Sequence, residues 1–157
     1  MIRLLSIIFF VVLMFIPMAQ AADSFESNVC VSGTTTIVHN SKESTLMGYE
    51  LKGLVLSASN SEIFNNATEM CVGVFKRMGK VVTQNGICKY LYPNDDIHLL
   101  EYHGDSNGGE WKFLSGTGKW EGLKGSGTYS TTQRGKTIVP GTFQNCRNIK
   151  GTYELPK

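Results

Sequence analysis

The chain has 157 residues, with 15 Lys and Arg against 13 Asp and Glu and a formal net charge of +2. That balance excludes the clustered basic excess needed to hold nucleic acid or an anionic membrane surface. The length is one domain's worth, so linkers and second domains are not expected.

At the start, Arg3 precedes an almost wholly apolar run from Leu4 to Ile16; Pro17 breaks it, and Ala19-Gln20-Ala21 puts small residues where a signal peptidase reads. This is the layout of a secretory signal cleaved after Ala21. A transmembrane anchor would need ~20 apolar residues, and this run has thirteen, with no Lys or Arg cluster behind it. The expected organisation is a cleaved signal peptide over 1–21, a loose segment over 22–29 and a β domain over 30–157. Removal of the signal leaves 136 residues (157 less 21), bearing 14 basic and 13 acidic side chains. The mature protein is expected in the periplasm or outside the cell, with no stable membrane anchor and no nucleic-acid partner.

Strand signals follow at short intervals, as β-branched and aromatic runs between Gly, Asn and Ser clusters. They fall at Cys30–His39, Met47–Ser57, Glu69–Arg77, Val81–Thr83, Ile87–Leu91, Ile97–His103, Glu110–Leu114, Gly127–Thr132, Thr137–Phe143 and Lys150–Leu155. Met47, Tyr49, Leu51 and Val55 alternate with Gly48, Glu50, Lys52 and Leu54, the pattern of a half-buried strand. Residues 61–70 allow a short helical turn at most. Many short strands with frequent turns predict an all-β sandwich or barrel with little or no helix. Closure into a barrel would also remove exposed strand edges.

The four cysteines, Cys30, Cys71, Cys88 and Cys146, are an even set behind an export signal, which favours two disulfides. Three pairings are possible. Cys71 and Cys88 stand symmetrically about Gly79-Lys80, and residues so placed in an antiparallel hairpin face each other at near-disulfide range. Asn85-Gly86 complicates that register, as a bulge or second turn. Cys30 and Cys146 remain, near opposite ends of the mature chain, where a closed barrel would bring them together. No Cys-x-x-Cys is present and no His stands at ligand spacing, so neither a metal nor a cofactor is expected.

The glycine-rich stretch from Trp111 to Tyr129 fits no nucleotide loop. Gly116-x-Gly118 is followed by Glu121 where a third glycine belongs, and Gly135-Lys136-Thr137 has Ser130 where a phosphate loop needs Gly. A tight, glycine-bent connection between strands, with Trp120 packed on the end of the core, is expected instead. The acidic turn Asn94-Asp95-Asp96 lacks the spaced ligands of an EF-hand, with Ser106 at the twelfth position from Asp95.

Ser115-Gly116-Thr117-Gly118-Lys119-Trp120-Glu121-Gly122 and Gly125-Ser126-Gly127-Thr128-Tyr129 resemble the glycine signature of the allene oxide cyclase-like and dirigent-like barrels. The chain resembles still more closely uncharacterised exported bacterial proteins placed near them. Trp111 and Phe113 before the signature, Gly86-Ile87-Cys88 upstream, and Gly151-Thr152-Tyr153 at the end carry this likeness, over roughly residues 70 to 155. The resemblance implies a single closed antiparallel barrel of about eight strands with a small cavity, and a homo-oligomer, a trimer as in plant relatives. It carries no catalytic residue, and cyclase activity does not transfer.

His98, Glu101, Tyr102 and His103 are the one concentrated titratable group. Alternation on a strand puts His98 and Tyr102 on one face and Glu101 and His103 on the other, and the apolar residues divide evenly between faces, so periodicity leaves the inner face open. Three functions remain. The leading expectation is a non-enzymatic barrel binding a small apolar ligand, with Trp111, Phe113 and Tyr129 lining the cavity. A structural protein with a filled barrel is the second. The third is an isomerase or cyclase-like enzyme using His98 or Glu101. The cavity candidates are thus His98, Glu101, Tyr102, Trp111, Phe113 and Tyr129; no residue is assigned a catalytic role. A cavity above roughly 300 Å³ separates the first function from the second.

Overall fold

Phe25, Ser27, Val29 and Val31 are buried while Ser24, Glu26, Asn28 and Cys30 between them are exposed, so alternation governs the first strand from its beginning. The computed structural model describes residues 22–57 and 63–156; the expected signal peptide lies outside the described residues. Eight strands follow in order: β1 (Asp23–Asn40), β2 (Ser44–Ser57), β3 (Thr68–Met78), β4 (Val81–Leu91), β5 (Ile97–Gly104), β6 (Gly108–Gly116), β7 (Lys124–Arg134) and β8 (Thr142–Glu154). Each pairs antiparallel with the next, and β8 pairs with β1, closing the barrel. The all-β, eight-stranded closed barrel implied by the glycine signature is the fold observed.

Several elements differ from the sequence expectation. The segment over 22–29 is not loose: all but its first residue belong to β1, where Asp23 to Val29 pair with Tyr153 to Arg147 of β8. The strand needs that length to reach the barrel's far end, where Phe25 packs on Phe64 and Trp111. The signals at Val81–Thr83 and Ile87–Leu91 are one strand, β4, whose register runs through Asn85-Gly86 without a bulge. Thr137–Phe143 is largely a loop, because Pro140 offers no N–H to a ladder and Gly141 turns the chain at positive φ; β8 begins at Thr142.

Both expected disulfides form, and they lie on opposite sides of the wall. Cys71 faces Cys88 across the β3–β4 hairpin inside the barrel, both essentially unexposed. Cys30 faces Cys146 across the β1–β8 seam, on the outer face. The second bond staples the strand pair that closes the barrel. Two disulfides and no free cysteine among the described residues mark a chain that folds in an oxidising compartment.

The glycine signature forms the end of β6, a single 3-10 turn (Gly118–Trp120) and the entry to β7. Gly118 lies at φ 57°, a left-handed conformation that costs glycine little. The turn drives Trp120 down onto Tyr92, ring centroids 4.9 Å apart, and closes one end of the barrel. From the β2–β3 connection, Ile63 and Phe64 enter the same end, and both are fully buried. Phe64 holds φ 63°, unusual for a bulky residue, and burial among five aromatic or imidazole rings offsets that strain.

Candidate functional site

The barrel interior divides into three tiers along its axis. The closed tier is aromatic. His98, on the inner face of β5, stacks on Tyr90 at 4.7 Å between centroids and meets Phe64 and Phe113 edge-on. The Phe64 amide donates to the Tyr92 hydroxyl at 3.0 Å, and that hydroxyl lies 3.1 Å from His98 Nδ1. With its oxygen accepting from the amide, the Tyr92 hydroxyl donates to Nδ1, which puts the ring proton on Nε2. Nε2 has no partner among the described residues, and burial pushes the His98 pKa down to about 3. His98 is therefore a neutral core imidazole at every physiological pH.

The middle tier holds a buried charge pair. Glu69 points inward from β3 with no exposure, and Arg147 reaches it from β8. Glu69 Oε1 accepts hydrogen bonds from the Arg147 Nη2 group and from the Tyr90 hydroxyl, and lies 3.2 Å from Cys71 Sγ. Burial opposes the Arg147 charge, but Glu69, with Tyr90 and Tyr102, more than offsets it and holds the guanidinium pKa above its ordinary value. Glu69, Cys71 and Cys88 also form a cluster of potential metal ligands. Both sulfurs are committed to a disulfide, so they cannot serve as thiolate ligands.

The third tier is open. A cavity of about 340 Å³ lies between the Arg147 level and the mouth. Tyr49, Tyr102 and Tyr129 form its polar-tipped wall, Met47, Leu51, Phe75 and Phe143 its apolar wall, and Gln84, Arg134, Asn145 and Arg147 stand among its other polar lining residues, with threonines, Ser106 and Gln144. The Tyr49 and Tyr102 hydroxyls share a short hydrogen bond, and Gln84 donates to the Tyr129 hydroxyl at 2.8 Å. Two glycines facing each other across β3 and β4, Gly73 and Gly86, make the tyrosine contact possible. A Cβ at Gly73 would stand 2.6 Å from the Tyr49 ring, and one at Gly86 would overlap Tyr102. Burial raises the pKa of all three tyrosines, so they stay protonated hydrogen-bond donors at neutral pH. Arg134 is tied at the mouth to the Ser106 carbonyl and to Asn107 Oδ1.

The six candidates named from sequence separate. Tyr102 and Tyr129 line the open cavity. His98, Trp111 and Phe113 face inward but are packed in the closed tier, with Trp111 and Phe113 ring centroids 4.9 Å apart. Glu101 is on the outer face, 2.8 Å from Lys112 directly opposite on β6, so it does not line the cavity. His103 is beside Glu110 in the same way. His98, Leu100 and Tyr102 are buried, so the even-numbered face of β5 turns inward, the choice periodicity left open. Among the described residues, neither a carboxylate nor an imidazole lines the open cavity. Sequence reasoning missed Glu69, Tyr49 and Arg147. Glu69 and Arg147 each sit at the inward phase of a strand, but pairing them requires knowing that β3 and β8 face each other across the barrel.

No family model matches the chain, and no curated protein sequence does. Among solved structures it is similar to two pterocarpan synthase dirigent proteins. The one labelled PsPTS1 is 7% identical, with 88% of this chain and 100% of that chain covered at a TM-score of 0.52. The one labelled GePTS1 is 8% identical, with 88% and 91% covered at a TM-score of 0.48. The former likeness is one of fold: the chain has the architecture of a dirigent-like barrel.

Proposed function

We propose that the protein is an exported barrel that binds a small, largely apolar ligand in its open tier and carries out no chemistry on it. The cavity carries this reading. At about 340 Å³ it falls in the range of small-molecule sites, and its walls are aromatic and aliphatic with a few convergent polar groups. The filled-barrel alternative describes only the closed tier. Against an acid–base enzyme stand the burial of His98 away from the cavity, the outward position of Glu101 and the protonated state of the lining tyrosines. Export to the periplasm or extracellular space, with cleavage near Ala21, accords with the two disulfides. The fold likeness to the pterocarpan synthase dirigent protein PsPTS1 agrees with a barrel that holds a small molecule, and the glycine signature supports kinship with the allene oxide cyclase-like group and its exported bacterial members. Self-association as a trimer belongs to the same proposal; exposed Val72, Val74 and Ile87 on the outer face of β3 and β4 offer it an apolar contact.

Native mass spectrometry of the mature, disulfide-intact protein purified from its own compartment tests this. The expected spectrum shows a bound small molecule that is lost on denaturation, and a mass lacking four hydrogens relative to the fully reduced chain. A ligand-free barrel that also takes up none of a panel of small aromatic compounds would overturn it.

A further inference from the structure

The cavity is apolar over most of its wall; its polar lining is mostly neutral, and the charged side chains in it are cationic. Two arginines line it, Arg134 at the mouth and Arg147 at the floor, and among the described residues no acidic side chain does. Arg134 carries the net positive charge of the cavity, because the Arg147 charge is matched from below by Glu69. Glu69 lies beneath Arg147, lines only the small void below, and has no exposure. Its Oε1 is occupied by Nη2 of Arg147 and the Tyr90 hydroxyl.

The Arg147 side chain is 11% exposed, and its Nε is buried with no hydrogen-bond partner among the described residues, as is Oε2 of its ion-pair partner Glu69. An unsatisfied buried donor on a charged group is costly, and a guanidinium edge matches the two oxygens of a carboxylate in plane. The Tyr102 and Tyr129 hydroxyls, held protonated beside it, add neutral donors. Asn145, two residues before Arg147 on the same inward face, presents a buried Oδ1 with no partner among the described residues, an acceptor for a ligand hydroxyl. Apolar walls with one guanidinium at the floor and another at the mouth together select an amphiphile.

We infer that the ligand of this cavity is a small carboxylic acid with an aromatic or alicyclic body, its carboxylate on Arg147 and its body against Met47, Phe75 and Phe143. This rests on the ligand-binding reading above and adds the charge and the anchoring residue. A neutral apolar molecule would fill the walls but leave the guanidinium edge unmatched. Arg134 lies on the entry path and attracts the anion toward the floor.

Calorimetric titration of the mature, oxidised protein with benzoate, trans-cinnamate and 1-naphthoate, each beside its own neutral amide, tests the inference. The best-fitting acid is expected to bind about ten- to a hundredfold more tightly than its amide, the usual worth of a charge-assisted hydrogen bond. That gap should close in Arg147→Met. Because Arg147→Met strands Glu69 and can fail to fold, Glu69→Gln/Arg147→Met is titrated as well, with circular dichroism as the check on folding. Equal affinity for acid and amide overturns the carboxylate assignment and leaves the apolar-ligand reading standing. A gap that survives the double replacement overturns the role of Arg147. Failure of every acid and every amide to bind overturns both readings.

Discussion

Glu69 and Arg147 are 78 residues apart in sequence and meet inside the barrel, joining β3 to β8 across its interior. The carboxylate has no exposure and the guanidinium little, so each depends on the other for its charge. Removing one partner of such a pair leaves a buried, unmatched charge and typically costs about 3–5 kcal/mol. Glu69→Ala and Arg147→Met should each destabilise the fold by about that amount in urea denaturation. Glu69→Gln/Arg147→Met should lose much less than the sum of its single replacements. Additive losses in the double variant would show that the two side chains act independently.

His98 makes stability depend on pH in a defined direction. Its folded-state pKa is near 3 and its ordinary value 6.5, so below 6.5 the unfolded chain binds a proton that the native barrel refuses. Its contribution is complete above pH 6.5 and is lost as pH falls toward 3, with a slope of up to about 1.4 kcal/mol per pH unit. Carboxylates titrate in the same range, so the comparison is with His98→Phe. The stability advantage of the native chain over the variant should shrink steadily from pH 6.5 to pH 4 in denaturant titrations. Parallel curves would place His98 in contact with solvent.

Gly86→Ala tests how the cavity wall is built. A methyl there meets the Tyr102 ring and, from the other side, the Val72 carbonyl, so neither a rotamer change nor a small shift accommodates it. Overpacking of this kind costs about 1–3 kcal/mol. Thermal unfolding should show that loss, and Tyr102 should be displaced from Tyr49, weakening binding of any cavity ligand. An unchanged melting temperature would mean the hairpin yields at Gly73 and Gly86.

The two disulfides should differ in worth. Cys30–Cys146 spans 116 residues and Cys71–Cys88 spans 17. Loop-closure entropy assigns about 4.7 kcal/mol to a hundred-residue loop and about 3 to a fifteen-residue one. Cys30→Ser/Cys146→Ser should therefore cost more stability than Cys71→Ala/Cys88→Ala, although the latter pair is the buried one. The reverse order, read by urea denaturation, would mean that packing of the inner sulfurs against Glu69 and Leu100 outweighs chain entropy.

Much of the fold was legible locally. The Cys71–Cys88 pairing followed from symmetry about Gly79-Lys80, because hairpin register depends on the turn and on counting. The resemblance carried by the glycine signature implied a closed barrel, and in the fold that stretch bends the chain so that Trp120 plugs one end. The errors were also local in origin. Asn85-Gly86 has the composition of a turn, yet its glycine serves a tyrosine on the neighbouring strand. Ser, Glu and Asn alternate over Ala22 to Val29 with few apolar residues, and pairing with β8, joined from Ser27 by pairing with β2, makes that segment a strand.

The site was much less legible. Tyr102 and Tyr129 were named, but His98, Trp111 and Phe113 share their inward phase and belong to the filled end. Strand periodicity gives the face of a residue and says nothing of its height along the barrel axis. Composition and spacing by themselves determined the all-β class and the inner cysteine pair, because each depends on residues near one another in the chain. Tertiary structure alone decided which face of β5 turns inward, that Arg147 meets Glu69, and that one half of the barrel is filled while the other is open. Those outcomes depend on which strands stand opposite one another, and closure of the sheet fixes that through contacts between residues far apart in sequence.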